Sequence, residues 1–378
     1  MLNLSSLLYS SVEQPTLLEN LDLTEAQLAV VSEARSAIRN CLREALPKAL
    51  RSAGHNITLR PRFFTQGSYA YKTLNGPAQA PQQADIDDGA YLPLSFVSAT
   101  GKPSVAAAVF FLATEQALST LVAQRMWHLI TDKATCVRVQ IAPFAHVDIP
   151  LYAIPDTEFH TLKEARAART VLGGDSSDHM DEEDTDVWEK LPKDSVLLAH
   201  REHDWMESDP RPVREWFLNE VEEQGEQLRR VVRYIKAIRD WRWASGGPAS
   251  ILLMAAVALV FDSRERRDDL ALLHVVERLP RTLRGGVVNP TAPDESLTDR
   301  AGEDCVEDAA RAFEELAVAL KRALDNSPEE ACESLRAQLG HRFPCEPLRV
   351  KRDTVEERVR AVPPQQVPTP LVGRTRSA

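Results

Sequence analysis

Apolar residues recur at helical spacing at Leu28, Val31, Ile38 and Leu42, and Thr24 with Gln27 forms a capping-box start. The pattern predicts a first helix from Thr24 that breaks at Pro47. Residues 57–66 (ITLRPRFFTQ) read as a strand leading into a turn at Gly67-Ser68, and 85–94 (DIDDGAYLPL) as a second strand. An Ala-, Val- and Leu-rich stretch over 104–125 predicts a helix. Val137, Val139 and Ile141 then alternate within 134–141, and 145–151 (AHVDIPL) continues as another strand. Beyond residue 195 the periodicity is mostly helical, strongest over 211–244, 249–263, 267–279 and 301–325. The expectation is an α/β (α+β) chain in three parts: a first helix plus sheet over 1–165, a helical lobe over 195–350, and a proline-rich tail over 351–378 that cannot bury a core.

Composition narrows the function. The chain has 378 residues, 43% of them hydrophobic, enough for a large core, and a net charge of −11. Such a surface repels a phosphate backbone, so broad nucleic-acid binding is not expected, although a local basic pocket for a small phosphorylated ligand is compatible with it. Five scattered cysteines contain no C-x-x-C pair and read as reduced thiols. The start MLNLSSLLYSSVEQP lacks a basic n-region, and the longest apolar run, 251–261, is too short to span a bilayer. A soluble, cytoplasmic protein without membrane partners is expected.

The chemistry centres on Asp85-Ile86-Asp87. On a strand these two carboxylates project to one side while Ile86 packs inward. Two such acids repel unless a cation sits between them, and hard Mg²⁺ prefers carboxylate oxygens. Upstream, Gly67-Ser68 follows a strand; glycine admits a phosphate to the backbone, and Ser68 offers its N–H and hydroxyl. An ordinary turn with Ser68 as an N-cap is the alternative. Asp148 is a third acid, isolated in the apolar strand HVDIP, where it needs either a metal or a salt bridge to a core arginine such as Arg138. His146 shares its face and reads as a structural histidine, because Mg²⁺ favours oxygen. Gly-Ser, Asp-x-Asp and a later lone Asp form the pattern of a polymerase-β-like nucleotidyltransferase, with Asp85, Asp87 and Asp148 as catalytic residues and ligands of two Mg²⁺ ions, Mn²⁺ being an alternative.

The block TQGSYAYKTLNGP…ADIDDGAYLPL resembles the bacterial cGAS/DncV-like nucleotidyltransferases (CD-NTases) of CBASS anti-phage systems. TCVRVQI…HVDIPLYAIP, SDPRPVREWF, RRVVRYIKAIRDW with GGPASILLMA, and NPTAPDESL extend the resemblance from residue 60 to about 300. YKTLN and SDPR resemble the branch encoded beside HORMA-domain and TRIP13-like regulators. The resemblance implies a nucleotidyltransferase sheet with a mostly helical second lobe. It implies a synthase of cyclic oligonucleotide second messengers from NTPs, with ATP as main substrate and a cyclic trinucleotide as product. It also implies that Gly67 and Ser68 hold one triphosphate, with Gln66 beside them, that Lys236 and Ser250 contact the donor triphosphate, and that Asp294 touches a base or ribose. Lys236 also stands on its own chemistry, as a cation in a helix beside Val232 and Ile235.

Two rivals remain at this stage: a nucleotidyltransferase that modifies a protein or RNA end, and a catalytically silent nucleotide-binding module. The acidic run 174–189 reads as a solvated loop rather than a cation site. His200 and His203, at helical spacing among charged residues, read as a surface pair. Trp205, Trp216, Trp241 and Trp243 read as core or interface residues, and Asp88, on the opposite strand face, as structural. The tail is a candidate docking peptide or, through Ala378, a site of covalent attachment; a tail with no role is the alternative.

Overall fold

A computed structural model describes residues 1–54, 60–99, 103–162, 188 and 196–354. The first half contains β1 (Leu2–Asn3), α1 (Ser5–Leu8), α2 (Leu17–Asn20), α3 (Glu25–Ser52), β2 (Arg62–Gln66), α4 (Gly67–Ala70), β3 (Ala84–Pro93), α5 (Ser95–Ala99), α6 (Pro103–Arg125), β4 (His128–Ile130), β5 (Cys136–Ala142) and β6 (Ala145–Ile154). A hairpin, β7 (Leu197–His200) and β8 (Asp204–Glu207), leads into α7 (Arg211–Gln224), α8 (Glu226–Arg242), α9 (Ser250–Val260) and α10 (Asp268–Arg284). The chain then forms β9 (Val288–Asn289), β10 (Ala292–Ser296), α11 (Leu297–Ala301), α12 (Glu303–Asp325), α13 (Pro328–Leu339) and β11 (Lys351–Arg352).

The expected mixed α/β class holds. The main sheet runs β2-β3-β6-β5-β4, with β7 also pairing β6 and β8 pairing β7. β3 and β6 are parallel; the other pairings are antiparallel. One face carries α3 and α6, whose Ile38, Leu42, Phe110 and Leu118 bury Ile86, Val137, Val147 and Ile149. α6 is long and apolar enough to cross a membrane by length and composition, but half of its apolar window is buried inside the fold. The capping box of Thr24 and Gln27 forms as predicted, whereas Pro47 does not end the helix. Leu46, Pro47, Ala49 and Leu50 are all buried there, and that burial outweighs the backbone hydrogen bond that proline forgoes.

A second core joins α7 to α13, and Leu2, Leu4, Leu7, Leu8, Leu17 and Leu21 belong to it. The first 21 residues therefore pack with the helical lobe rather than with the sheet. β1 pairs with β11, so Lys351 and Arg352 are ordered; the rest of the tail from residue 355, like 174–187 and 189, lies outside the described residues. The stretch 211–244 is two helices because Gly225, at φ 89°, turns the chain between them, and Gly302, at φ 84°, separates α11 from α12.

Behind the sheet, Asp88 is structural as expected. It is 1% exposed and accepts from Arg39 Nε at 2.6 Å, while Thr65 Oγ1 accepts from Arg39 Nη2 at 2.8 Å. Arg39→Met would leave Asp88 charged and unpaired among apolar neighbours, and is expected to lower the unfolding free energy by about 3–5 kcal/mol. Denaturant titration reads that loss; a change below about 1 kcal/mol would mean the pair is no anchor for β3.

Candidate active site

Strand register assembles the acids. Asp85 stands opposite His146 and Asp87 opposite Asp148 across the parallel β3–β6 pair, and Arg138 on β5 stands opposite Asp148. Alternation sends Ile86, Val147 and Val137 to the helix-covered face, so Asp85, Asp87, His146, Asp148 and Arg138 share the other. Asp148 is 6% exposed and takes a two-pronged bond from Arg138, Nε to Oδ1 at 2.6 Å and Nη2 to Oδ2 at 2.7 Å. The arginine partner considered from sequence is thus present.

The charges are unevenly settled. Burial, then the charges of Asp85 and Asp148, hold the Asp87 carboxyl well above the usual range. Burial would raise Asp85 as well, but His146, followed by Arg138 and Lys236, outweighs it and holds that carboxyl low. His146 Nε2 lies 2.9 Å from the buried Asp85 Oδ1 and is its partner in the cluster. Carboxylates crowded on one face, with Asp87 held high by its neighbours, are what a divalent cation would satisfy, so Asp85, Asp87 and Asp148 fit as its ligands. Ligand atoms of Asp85, His146 and Asp148 lie within 4.8 Å of one another. Cys136 offers no thiolate beside them, since burial and then Asp148 push its pKa up.

Gly67 closes the acid side. It has φ +66°, and a Cβ there would lie 1.9 Å from Asp87 Oδ2, so only glycine lets this turn approach the acid. Ser68 is at the second position of α4, not the N-cap, and its side chain makes no hydrogen bond among the described residues. Both line a cavity of about 400 Å³ with Asp85 and Asp87; the opposite wall carries Lys236, Arg239 and Ser250. Lys236 is 3% exposed, donates from Nζ to Thr73 O at 2.6 Å, and is pulled down to about 7 by burial and then by Arg239. Arg239 Nη1 donates to Ser250 Oγ at 2.9 Å, at the first turn of α9. Acidic and basic walls thus face each other across a cleft of ligand size.

A family model described as cyclic GMP-AMP synthase DncV-like, nucleotidyltransferase domain, matches residues 61–152, and one described as cyclic GMP-AMP synthase, C-terminal domain, matches 225–352. The chain belongs to the DncV-like nucleotidyltransferase family. A Vibrio cholerae protein named cyclic GMP-AMP synthase is 38% identical over 249 residues, 63% of this chain. One from Escherichia coli strain TW11681 with the same name is 35% identical over 250 residues, 64% of this chain. The chain spans 57% of the length of each of these curated relatives. The crystal structure of Vibrio cholerae DncV cyclic AMP-GMP synthase with the linear intermediate 5′ pppA(3′,5′)pG is similar at a TM-score of 0.77 and 26% identity, covering 93% of this chain and 99% of that one.

Of the residues singled out from sequence, Gly67, Ser68, Asp85, Asp87, Lys236 and Ser250 line the cavity, and Asp148 lies behind Asp85 and Asp87 against Arg138. Gln66 is buried, donates to Tyr152 Oη at 3.0 Å, and is not among the lining residues. Asp294 is exposed on β10, also outside the lining. His200 and His203 stack at 4.6 Å, but on a hairpin: His200 is buried and its Nδ1 accepts from the backbone of Glu202 and His203. Asp209 and Arg211 of the SDPR block bind each other at the start of α7, a structural task. Trp205 and Trp216 pack against the cores, and Trp241 lies on Gly340. Trp243 also reaches the cavity wall, as do Gln82, Gln83, Arg239 and Asp240, none of which the sequence pattern marked.

Two outcomes follow. Gly67→Ala should displace Asp87 and cut nucleotide transfer by at least about 10²-fold while costing only about 1–2 kcal/mol in stability; near-normal rates would show that the turn tolerates a side chain. A triphosphate beside Lys236 favours its ammonium form and raises its pKa above 7, so binding takes up a proton at higher pH. Affinity for a non-hydrolysable ATP analogue should be full below pH 7 and fall by up to about tenfold per unit above it. Lys236→Gln should flatten that difference, and identical pH profiles for the two proteins would remove the lysine from the phosphate site.

Proposed function

We propose that this chain is a cytoplasmic, Mg²⁺-dependent synthase of a cyclic oligonucleotide second messenger. The observation that carries the reading is the cleft itself: Asp85 and Asp87 on one wall, Asp148 behind them, and Lys236, Arg239 and Ser250 on the other. Two Mg²⁺ ions held by Asp85, Asp87 and Asp148, with Mn²⁺ as an alternative, would acidify the attacking hydroxyl and neutralise the triphosphate. The protein's own residues supply the rest. Gly67 lets a phosphate approach the backbone, and Ser68 offers a free hydroxyl to it. Lys236 exchanges its bond to the Thr73 carbonyl for the anionic donor, and Ser250, oriented by Arg239, presents its hydroxyl from the first turn of α9. Gln66, opposite Asp87 on β2, supports the acid wall through Tyr152, and Asp294 enters only as an outlying contact to base or ribose.

Successive attacks of ribose hydroxyls on α-phosphates release pyrophosphate and close a ring. The relatives' names and the ATP- and GTP-containing complex of the Vibrio cholerae enzyme favour a cyclic dinucleotide made from ATP and GTP over the ATP-derived trinucleotide expected from the branch resemblance. Anti-phage signalling, and control by a HORMA-domain regulator with a TRIP13-like ATPase, belong to this proposal through the CBASS resemblance and the YKTLN and SDPR blocks.

Purified full-length chain would be incubated with the four NTPs and Mg²⁺, with and without such partners, then treated with phosphatase and analysed by mass spectrometry. A phosphatase-resistant cyclic product is expected, reduced at least about 10³-fold in Asp85→Ala/Asp87→Ala. Label appearing only on protein or RNA would establish the end-modifying rival. No product under any condition, with ATP still bound, would establish a silent module.

A further inference from the structure

Arg342 lies outside the cavity lining and takes no part in the reading above, yet its charge is unanswered. It follows α13, is 6% exposed, and donates from Nη1 to Gly76 O at 2.8 Å and from Nη2 to Ala237 O at 3.3 Å. Its own carbonyl accepts from Asn20 Nδ2 at 2.8 Å, and its Nε is buried without a partner. Arg39, Arg211 and Arg267 are buried too, but each binds a carboxylate. Among the described residues Arg342 forms no ion pair. Two carbonyls solvate a guanidinium without cancelling its charge, and burying an uncancelled charge is costly.

That charge stands behind the cleft. Gly76, with Leu74, Asn75 and Pro77, lines the cavity, and Ala237 follows Lys236 on α8. Both backbone groups of Gly76 are engaged away from the cavity, the N–H on Leu21 O at 2.7 Å and the carbonyl on Arg342. Burial lowers the pKa of Arg342, the cavity-lining Asp240 opposes that fall, and Arg233 adds to it, so the guanidinium lies within the field of the cavity wall. Arginine keeps its proton all the same. Other cations of this wall are committed. Arg239 Nε donates to Asp240 at 2.8 Å, and Arg233 Nη2 to Asp22 at 2.7 Å. Lys236, pulled down to about 7, is only partly charged near neutral pH. The lining residues therefore offer a polyphosphate little free positive charge.

We infer that Arg342 is a positioning residue for the nucleotide polyphosphate: it holds the Gly76 rim in place and attracts the phosphates from behind that rim with a charge the fold leaves unpaired. The inference rests on the nucleotide-binding reading of the cleft and adds a residue outside its lining. An anion in the cavity is the partner that this guanidinium lacks, and inside a protein such attraction acts across several layers of atoms.

Attraction scales with the charge of the ligand, whereas support of the rim serves every nucleotide alike. Full-length chain would be titrated calorimetrically with a non-hydrolysable ATP analogue and Mg²⁺, and with AMP by competition against it. Arg342→Gln keeps a donor for Gly76 O but removes the charge. It should weaken the triphosphate by at least about tenfold and AMP by less than about threefold. Arg342→Lys keeps the charge and should hold triphosphate affinity within about threefold of the wild type. Should Arg342→Gln fail to fold, Arg342→Met carries the same comparison. Equal losses for triphosphate and AMP, a Lys variant as weak as the uncharged one, or unchanged affinities would each overturn the inference and leave the nucleotide site standing. A wild-type chain that binds neither nucleotide would overturn both.

Discussion

Parallel pairing of β3 with β6 brings like charges together. It sets Asp87 beside Asp148 and Asp85 beside His146, on strands separated by the usual spacing of about 4.8 Å. Isolated carboxylates that close cannot all stay ionised in a half-dry site. The surroundings therefore answer each acid differently. Asp148 takes a guanidinium, Asp85 is held low by His146, Arg138 and Lys236 against the effect of burial, and Asp87 is kept from ionising. On the far face Asp88 is paired separately with Arg39, so the consecutive acids Asp87 and Asp88 do not compete for one counter-charge. A one-residue slip of β3 would exchange their faces and place Asp88 in the cleft and Asp87 against α3.

The basic wall depends on a second constraint, the attachment of α8 to the β2–β3 connection. The last carbonyls of a helix have no partner within it. Here Gln79 Nε2 donates to Asp240 O at 2.9 Å and Trp241 O at 2.8 Å, and Gln82 Nε2 to Asp240 O at 2.6 Å and Trp243 O at 2.8 Å. Further up the same helix Asn75 binds the Arg233 carbonyl and Lys236 binds that of Thr73. The connection that begins at the Gly67-Ser68 turn thus caps and tethers the helix carrying Lys236 and Arg239. Apart from the Lys236 bond, these tethers end on backbone carbonyls of α8 and its C-cap, which no side-chain substitution there removes. The same burial that secures Lys236 lowers its pKa to about 7, so near neutral pH its ammonium is only partly charged.

This division explains what was legible in the sequence. Asp85-x-Asp87 and the lone Asp148 could be assigned to one surface because strand alternation is a strict rule and their neighbours Ile86, Val147 and Ile149 are unambiguous core residues. Thr24 and Gln27 announced a helix start because capping is local. The end of that helix was misplaced at Pro47 because the deciding term is burial against a sheet. Leu2 to Leu21 gave no sign of joining the C-terminal lobe, since nothing local distinguishes a leucine that packs against residue 269 from one that packs against residue 38. The β7–β8 hairpin was hidden for a related reason: half of the residues in HREHDWMESD are charged, and its pairing comes from the edge that β6 offers to Leu197 and Leu198.

Gln83 shows where such reading stops and what geometry adds. A glutamine before an Asp-x-Asp motif has no chemistry of its own, and sequence favoured a satisfied histidine over a ligand at His146. Half of that expectation holds, because Nδ1 is satisfied by the Gln83 carbonyl. The other nitrogen, Nε2, is thereby aimed at the acids, 2.9 Å from Asp85 Oδ1 and 3.9 Å from Asp148 Oδ1, and is the first of the groups that hold Asp85 low. Holding one end of the imidazole on Gln83 therefore fixes the other against the acids, so the histidine that sequence reads as structural is also part of the charge balance of the site.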